Sequence, residues 1–287
     1  MSFLFNNVTI IGVGLIGGSL ARVLKAKGLA GRVVGSGRSR ESLEQAIRLG
    51  VIDAIGQGPA YGVEDADLVV LASPVGTFVR IMQDIAPHLK QGAIVTDVGS
   101  VKGGLVRSIG QVLPVGCHYV PGHPIAGREK SGVAEAAENL FNGKRCILTP
   151  GPSTDAKAFE LVRRVWIAAG ALVTEMDADL HDKVFGAVSH LPHVAAFAMM
   201  TAVAELNTGT EEYLKFSGGG FRDFTRIAAS SPEMWRDICL MNRENLVQKI
   251  DRYLASLNQL KRDIAAGDGQ RLEKHLQHAS NIRRGLE

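Results

Sequence analysis

A chain of 287 residues, 46% apolar and 21% charged, has the make-up of a soluble globular protein with room for two domains of ordinary size. Its formal net charge of +3 is spread without the basic stripe that nucleic-acid binding needs, and Cys117, Cys146 and Cys239 are too few and too scattered for a disulfide framework or a metal cluster. No basic segment precedes the first apolar run and no run reaches the roughly 18 apolar residues of a membrane span, so the expected setting is a reducing cytoplasm, with no nucleic acid, membrane or metal.

Val8-Thr9-Ile10-Ile11 runs straight into Gly12-Val13-Gly14-Leu15-Ile16-Gly17, and Leu20, Val23 and Leu24 follow at helical spacing. This predicts a strand, a tight turn and a helix. Gly12 lets the chain turn, Gly14 lets a pyrophosphate approach the backbone, and Gly17 lets the helix pack on the strand. The phosphates then sit at the positive helix end, over the first turn that holds Leu15 and Ile16. A glycine triplet alone is a weak signal; its place directly after a strand makes it a dinucleotide-binding signature.

Val33 to Ser36 reads as the second strand. About 20 residues past the glycine turn an NAD site has an acid for the ribose hydroxyls. Here Gly37 and Arg38 stand instead. The missing carboxylate leaves room for a 2′-phosphate held by Arg38 with Ser36, Ser39 and Arg40, which favours NADP, NAD remaining possible. The alternative is an ordinary solvated arginine.

The alternation continues with helix over 41–49, strand over 67–72, helix over 77–89 and strand over 93–97, the mark of a parallel sheet with covering helices. Ligands gather beyond the carboxyl ends of such strands, which places Ser73, Pro74 and Ser100 at the cofactor edge. His123 lies in a Gly-His-Pro segment read as a constrained loop, either as an acid or base near neutrality or as a histidine satisfied by a carbonyl. Strand over 145–148, helix over 159–168 and strand over 171–175 complete the series.

After Met176 strand signals stop, so the domains are expected at 1–176 and 177–287. Pro192 should start or kink an apolar helix over 194–206. His190 and His193 share a helical face, one substrate-facing and one structural, without the companions a metal site requires. Gly218-Gly219-Gly220 precedes Arg222 and Arg226, four apart with Asp223 beside them, either a ligand site or an exposed helix with an ordinary ion pair. Ser231-Pro232-Glu233 is a helix start. From Trp235 to Ile264 an apolar stripe then predicts one long helix lasting until Gly267. Its uncovered length points to a homodimer rather than an intrachain bundle.

These motifs together resemble the prephenate and arogenate, or cyclohexadienyl, dehydrogenases of tyrosine biosynthesis: the glycine turn, Thr96 to Lys102, Gly122 to Gly127, Ser189 to His193 and Gly219 to Arg226, in order over nearly the whole chain. The resemblance implies an N-terminal Rossmann-type α/β nucleotide-binding domain, an all-α C-terminal dimerisation domain and an active site between them. It implies that His123 polarises the C4 hydroxyl of the dienyl substrate as hydride leaves, that Ser100 orients hydroxyl and nicotinamide, and that His193 and Arg226 line the substrate pocket. Arg222, Glu129 and Trp235 become pocket or gate residues. Departures are Gly37-Arg38, in place of the acid of NAD-using members, and Arg128, where relatives often have a small residue. Tyrosine, if it inhibits, would act at the active site itself. The runners-up are another nucleotide-dependent β-hydroxyacid dehydrogenase and a nonenzymatic NADP sensor.

Overall fold

The computed structural model describes residues 3–58, 60–128, 130–207 and 212–286. Apolar, β-branched residues drive the first strand, β1 (Phe5–Ile11), and the glycine turn releases the chain into α1 (Leu15–Ala26). There follow β2 (Ala30–Ser36), α2 (Arg40–Arg48), the two-residue β3 (Ala54–Ile55), β4 (Leu68–Leu71), α3 (Phe78–Ile85), β5 (Ile94–Asp97), α4 (Gly103–Val112) and β6 (His118–Val120). These six strands make one parallel sheet in the order β3-β2-β1-β4-β5-β6, which reverses direction of growth between β1 and β4 and so opens a crevice at their carboxyl ends. Alternate residues feed opposite faces: Leu68 and Val70 join the core beneath α1, whereas Val69 and Leu71 join the one that holds Phe78, Met82 and Ile85 of α3.

The strands expected over 145–148 and 171–175 do not extend this sheet. Pro121 ends β6, because it has no N–H to continue the ladder. The chain instead forms β7 (Gly122–Pro124), which pairs antiparallel with β8 (Arg145–Leu148), and β8 pairs parallel with β9 (Leu172–Glu175) across α5 (Ala156–Ala168). His123 therefore lies within a strand rather than on a loop, paired with Ile147 and buried.

Asp177 caps the next helix by accepting from the Asp179 and Leu180 N–H groups. This helix, α6 (Ala178–Phe185), passes through one π turn (Gly186–His190) into α7 (Leu191–Ala204). Pro192 sits in the first turn of α7, and the widened turn before it takes up the irregularity a proline imposes. Then come α8 (Gly219–Thr225), α9 (Pro232–Met241), α10 (Arg243–Ala265) and α11 (Gly269–Arg284). Ser231 caps α9 and Pro232 opens it, as expected.

The long helix expected through Gly267 is two helices. It breaks at Asn242 (φ −107°, ψ 26°), whose buried side chain donates to the Asp182 carbonyl at 2.8 Å and lies 3.0 Å from His190 Nδ1, tying the backbone to α6 and the π turn. The stripe divides accordingly. Trp235, Ile238 and Leu246 are buried within the chain, while Tyr253, Leu254, Leu257 and Ile264 stay exposed.

By length and composition the continuous 178–204 helix could cross a membrane, its best window having a mean hydropathy of 1.4. Its inward face holds His181, Asp182 and His190, all buried and hydrogen-bonded to other elements. Its exposed Val188 and Met199 add to the uncovered apolar surface of the helical half.

Candidate active site

At the glycine turn each residue does what its missing side chain permits. Gly12 has φ +106°, and a Cβ there would lie 2.4 Å from the Ala72 carbonyl carbon; one at Gly17 would lie 2.2 Å from the Gly12 oxygen. A Cβ on Gly14 would meet nothing within 4 Å, so that side of the turn is open. Gly14 begins α1 without a capping side chain, and no acid stands in the first turn, where Leu15, Ile16 and Gly17 present their N–H groups. The cradle fits the pyrophosphate of a nicotinamide dinucleotide.

The four residues expected around a 2′-phosphate are spread out. Ser36 is buried at the end of β2, with its carbonyl accepting from Gly12 N–H. The Ser39 hydroxyl caps α2 at the Ser42 N–H, and Arg40 pairs with Glu44 one turn along. Arg38 is exposed and points across to Glu233 of α9, 3.4 Å away. Beyond β4, the Ser73 hydroxyl lies 2.8 Å from Thr77 Oγ1, and Pro74 leads the short turn that faces α9.

The chemical centre lies between the two halves. His123 Nδ1 is 2.8 Å from His181 Nε2, and His181 Nδ1 is 2.8 Å from Asp182 Oδ1. Asp182 also accepts from the N–H groups of Lys102 and Gly103, both at 2.8 Å, at the start of α4. It thereby joins the loop bearing Ser100 to the histidine pair. The rings of His181 and Phe185 stack with centroids 4.4 Å apart, and His123 packs against both.

Beneath this runs a buried ion pair. Lys102 Nζ is 2.5 Å from Asp97 Oδ1, and both side chains are fully buried. Asp97 also accepts from Gly99 N–H at 2.7 Å and the Tyr119 hydroxyl at 2.7 Å. Removing either member of such a pair strands the other and costs about 3–5 kcal/mol.

Burial holds the His123 imidazole well below its ordinary pKa, with the neighbouring His181, Lys102 and His190 adding to the effect. Burial likewise lowers His181 and takes His190 to about 4. For Asp182 burial works upward, but hydrogen bonds from His181, Lys102 and Gly103 outweigh it and hold the carboxyl below its usual range. Near neutrality the centre is three neutral imidazoles and one carboxylate.

On the helical side His193 stacks on Trp235, with centroids 3.8 Å apart and planes at 23°, and its Nδ1 donates to the Ser189 carbonyl. His190 meets the same indole edge-on at 6.0 Å. Among the described residues the buried Trp235 Nε1 has no hydrogen-bond partner, and His190 lies against the backbone of Ser100. Burial lowers His193, and Arg226 is near enough to lower it further. Four of the expected residues, His123, His193, Arg226 and Trp235, thus cluster with Ser100 around the seam between the halves. Arg222 does not join them: it is exposed, its Nε 3.4 Å from the Ser217 hydroxyl. Asp223 is exposed as well. Glu129 lies outside the described residues.

Sequence reasoning missed His181, Asp182 and Asn242 as members of the site and gave no role of their own to Asp97 and Lys102, which it placed in the Thr96 to Lys102 motif. Asp97 and Lys102 bracket the Gly99-Ser100 segment, and an acid ending an apolar strand with a lysine five residues on was the available signal. His181-Asp182 reads as the polar face of an ordinary helix, and only the fold shows that this face is buried.

Family models agree with this architecture. The nucleotide-binding domain of prephenate dehydrogenase matches residues 20–175 and its dimerization domain matches 177–278. The chain belongs to the prephenate dehydrogenase family. It is 35% identical to prephenate dehydrogenase of Bacillus subtilis over 287 residues, all of this chain and 77% of that one. It is also 35% identical to cyclohexadienyl dehydrogenase of Zymomonas mobilis, over 99% of this chain and 97% of the other. Among solved structures, prephenate dehydrogenase from Aquifex aeolicus in complex with hydroxyphenyl propionate and NAD+ is 44% identical, with a TM-score of 0.93, covering 100% of this chain and 99% of that one. As a member of this family the chain is a nicotinamide-dependent oxidoreductase with a Rossmann-type domain and a helical dimerisation domain, and α10 with its exposed apolar stripe lies within the part that matches the dimerisation domain.

Proposed function

We propose that this protein oxidatively decarboxylates prephenate, arogenate or both, with His123 as proton acceptor. The observation that supports it best is the placement of His123: a neutral buried imidazole from β7, turned towards α6, beside the Ser100 loop and the His193–Trp235–Arg226 cluster. A bound nicotinamide supplies the hydride acceptor for the C4 hydrogen. His123 takes the hydroxyl proton as the C4–O bond becomes a carbonyl, and loss of the C1 carboxylate as carbon dioxide gives the aromatic ring. General-base help of this kind is worth about 10²- to 10⁴-fold. Ser100 orients the hydroxyl. Arg226 supplies a planar fork for a carboxylate, and His193, whose Nδ1 is spent on Ser189, offers Nε2 as an acceptor.

The reading divides the chain at 176–177, places it in the cytoplasm and prefers NADP. Support for NADP is the absence of an acid after β2 and the exposed guanidinium of Arg38. The Aquifex relative was crystallised with NAD+, so Glu233, the present neighbour of Arg38, has to yield to a 2′-phosphate in this chain. Tyrosine, which resembles the product, inhibits by competing with the dienyl substrate.

Initial rates with prephenate and with arogenate, each with NADP and NAD, test these statements together. The wild type reduces NADP with the higher kcat/KM; His123→Asn loses about 10²-fold or more, mainly in kcat; Arg38→Ala loses the advantage of NADP while keeping activity with NAD. Higher kcat/KM with NAD refutes the cofactor preference, noncompetitive inhibition by tyrosine refutes the active-site route, and no reduced cofactor with any pairing refutes the dehydrogenase reading.

A further inference from the structure

A histidine acts as a base only if the nitrogen facing the substrate bears the lone pair, and in the neutral ring this depends on where the single proton sits. The chain of contacts behind His123 decides it. Asp182 is an acceptor on both oxygens, already engaged by Lys102 and Gly103 N–H, so the His181 nitrogen 2.8 Å from Oδ1 must be the protonated one. Neutral His181 then has its lone pair on Nε2. That atom faces His123 Nδ1 at 2.8 Å, so His123 must donate there, and its own lone pair is left on Nε2 at the opposite edge of the ring. The reverse assignment would aim a lone pair at a carboxylate whose other contacts are N–H donors.

We propose that His181 and Asp182 are positioning residues that act in series to fix His123 as the Nδ1–H tautomer, with Nε2 free to take the substrate proton. This rests on reading His123 as the base.

Two further observations favour a positioning device over ordinary core packing. The chain of bonds crosses between the two halves, since His123 is on β7 whereas His181 and Asp182 are on α6. The same carboxylate also grips the first two N–H groups around the start of α4, two residues beyond Ser100, so one side chain sets both the base and the loop expected to orient the hydroxyl. The stack of His181 on Phe185, with His123 packed against that ring, holds the imidazoles in place and keeps water from the hydrogen bond between them. A cation forming on His123 during turnover would be stabilised through His181 by the Asp182 charge, without the proton having to reach the carboxylate.

The experiment measures 15N shifts of the histidine ring nitrogens in the full-length, 15N-histidine-labelled protein, with His123 assigned by the signals lost in His123→Asn. Expected for the wild type is a proton on Nδ1 and a bare Nε2. A wild-type His123 protonated on Nε2 overturns the proposal without recourse to activity, and thus independently of whether the dehydrogenase reading holds. In Asp182→Asn a single amide oxygen replaces the two that now serve the Lys102, Gly103 and His181 donors, so the hold on the His181 proton weakens and kcat should fall about 10²- to 10⁴-fold, with KM for the dienyl substrate and cofactor affinity little changed. His181→Phe, which keeps the ring but removes the acceptor, should lower kcat in the same way. A kcat within about threefold of wild type in both folded variants overturns it; if neither variant folds, the wild-type tautomer decides.

Discussion

The residues around His123 set the pH range in which it works. Imidazolium there would be buried and would face His181 from α6, His190 from the π turn and Lys102 from the segment after β5, with Asp182 and Asp97 too far engaged elsewhere to offset them fully. The direction of the shift is downward from 6.5, so the basic form predominates from below that value upward. The plot of kcat/KM against pH, which reports the free enzyme, should therefore be flat through pH 6.5 and bend down only at more acid values. A limb centred at or above 6.5 would show that His123 is not the group titrating, or that its burial is relieved in solution. At this scale the sequence was most informative where chemistry rests on a local motif. His123, Ser100 and the glycines are recognisable from neighbours one to three residues away. His181 and Asp182 owe their importance to a partner about 60 residues distant in the chain for His123 and about 80 for Lys102, a relation that periodicity cannot express.

Elements were legible in proportion to how far local pattern decided them. Four strands of the main sheet, β1, β2, β4 and β5, were legible as apolar runs, whereas the short β3 and β6 and the order of the strands were not. Nor were β7 and the second sheet, because three residues around a proline look like a turn until β8 arrives beside them. The break between α9 and α10 is the other case. The apolar spacing continues through Asn242 unchanged, and what ends the helix is the pull of that amide on Asp182 and His190. Asn242→Ala removes these bonds, leaves the Asp182 carbonyl with its helical Gly186 N–H alone and strands His190 Nδ1 in the interior, which costs about 1–3 kcal/mol for a buried group left unmade. Urea unfolding at fixed protein concentration should show a loss of at least about 1 kcal/mol, together with a lower kcat as His190 and the π turn loosen. Unchanged stability would mean that water replaces the amide and that the break has another cause.

For the molecule as a whole, the exposed apolar surface is the clearest statement that one chain is not the finished unit. Leu254 and Leu257 of α10 remain 47% and 49% exposed, and Ile264 is 64% exposed, in the half of the chain that matches the family's dimerization domain. The face is held rigid for its purpose: Asp263, itself buried, clamps α11 to α10 through His275 at 2.7 Å and Arg271 at 3.1 Å. The stripe was readable in the sequence because helical periodicity records which positions are apolar. It does not record whether their cover comes from the same chain, and here the inner part is covered by the chain's own nucleotide-binding half while the outer part is not. In a symmetric pair each substitution counts twice. Leu254→Lys with Leu257→Lys should therefore remove about 6 kcal/mol or more of association free energy, taking each leucine at about 1.5 kcal/mol, roughly a 10⁴-fold weaker dimer. Sedimentation equilibrium should show twice the 30.6 kDa chain mass for the wild type and the single mass for the variant. The variant should still bind NADP, because neither leucine belongs to the packed cores that hold the glycine turn and the sheet. A variant that stays at twice the chain mass would move the dimer contact off α10, to the apolar surface of α7 and α11, where Val188, Met199, Leu276 and Ile282 are also exposed.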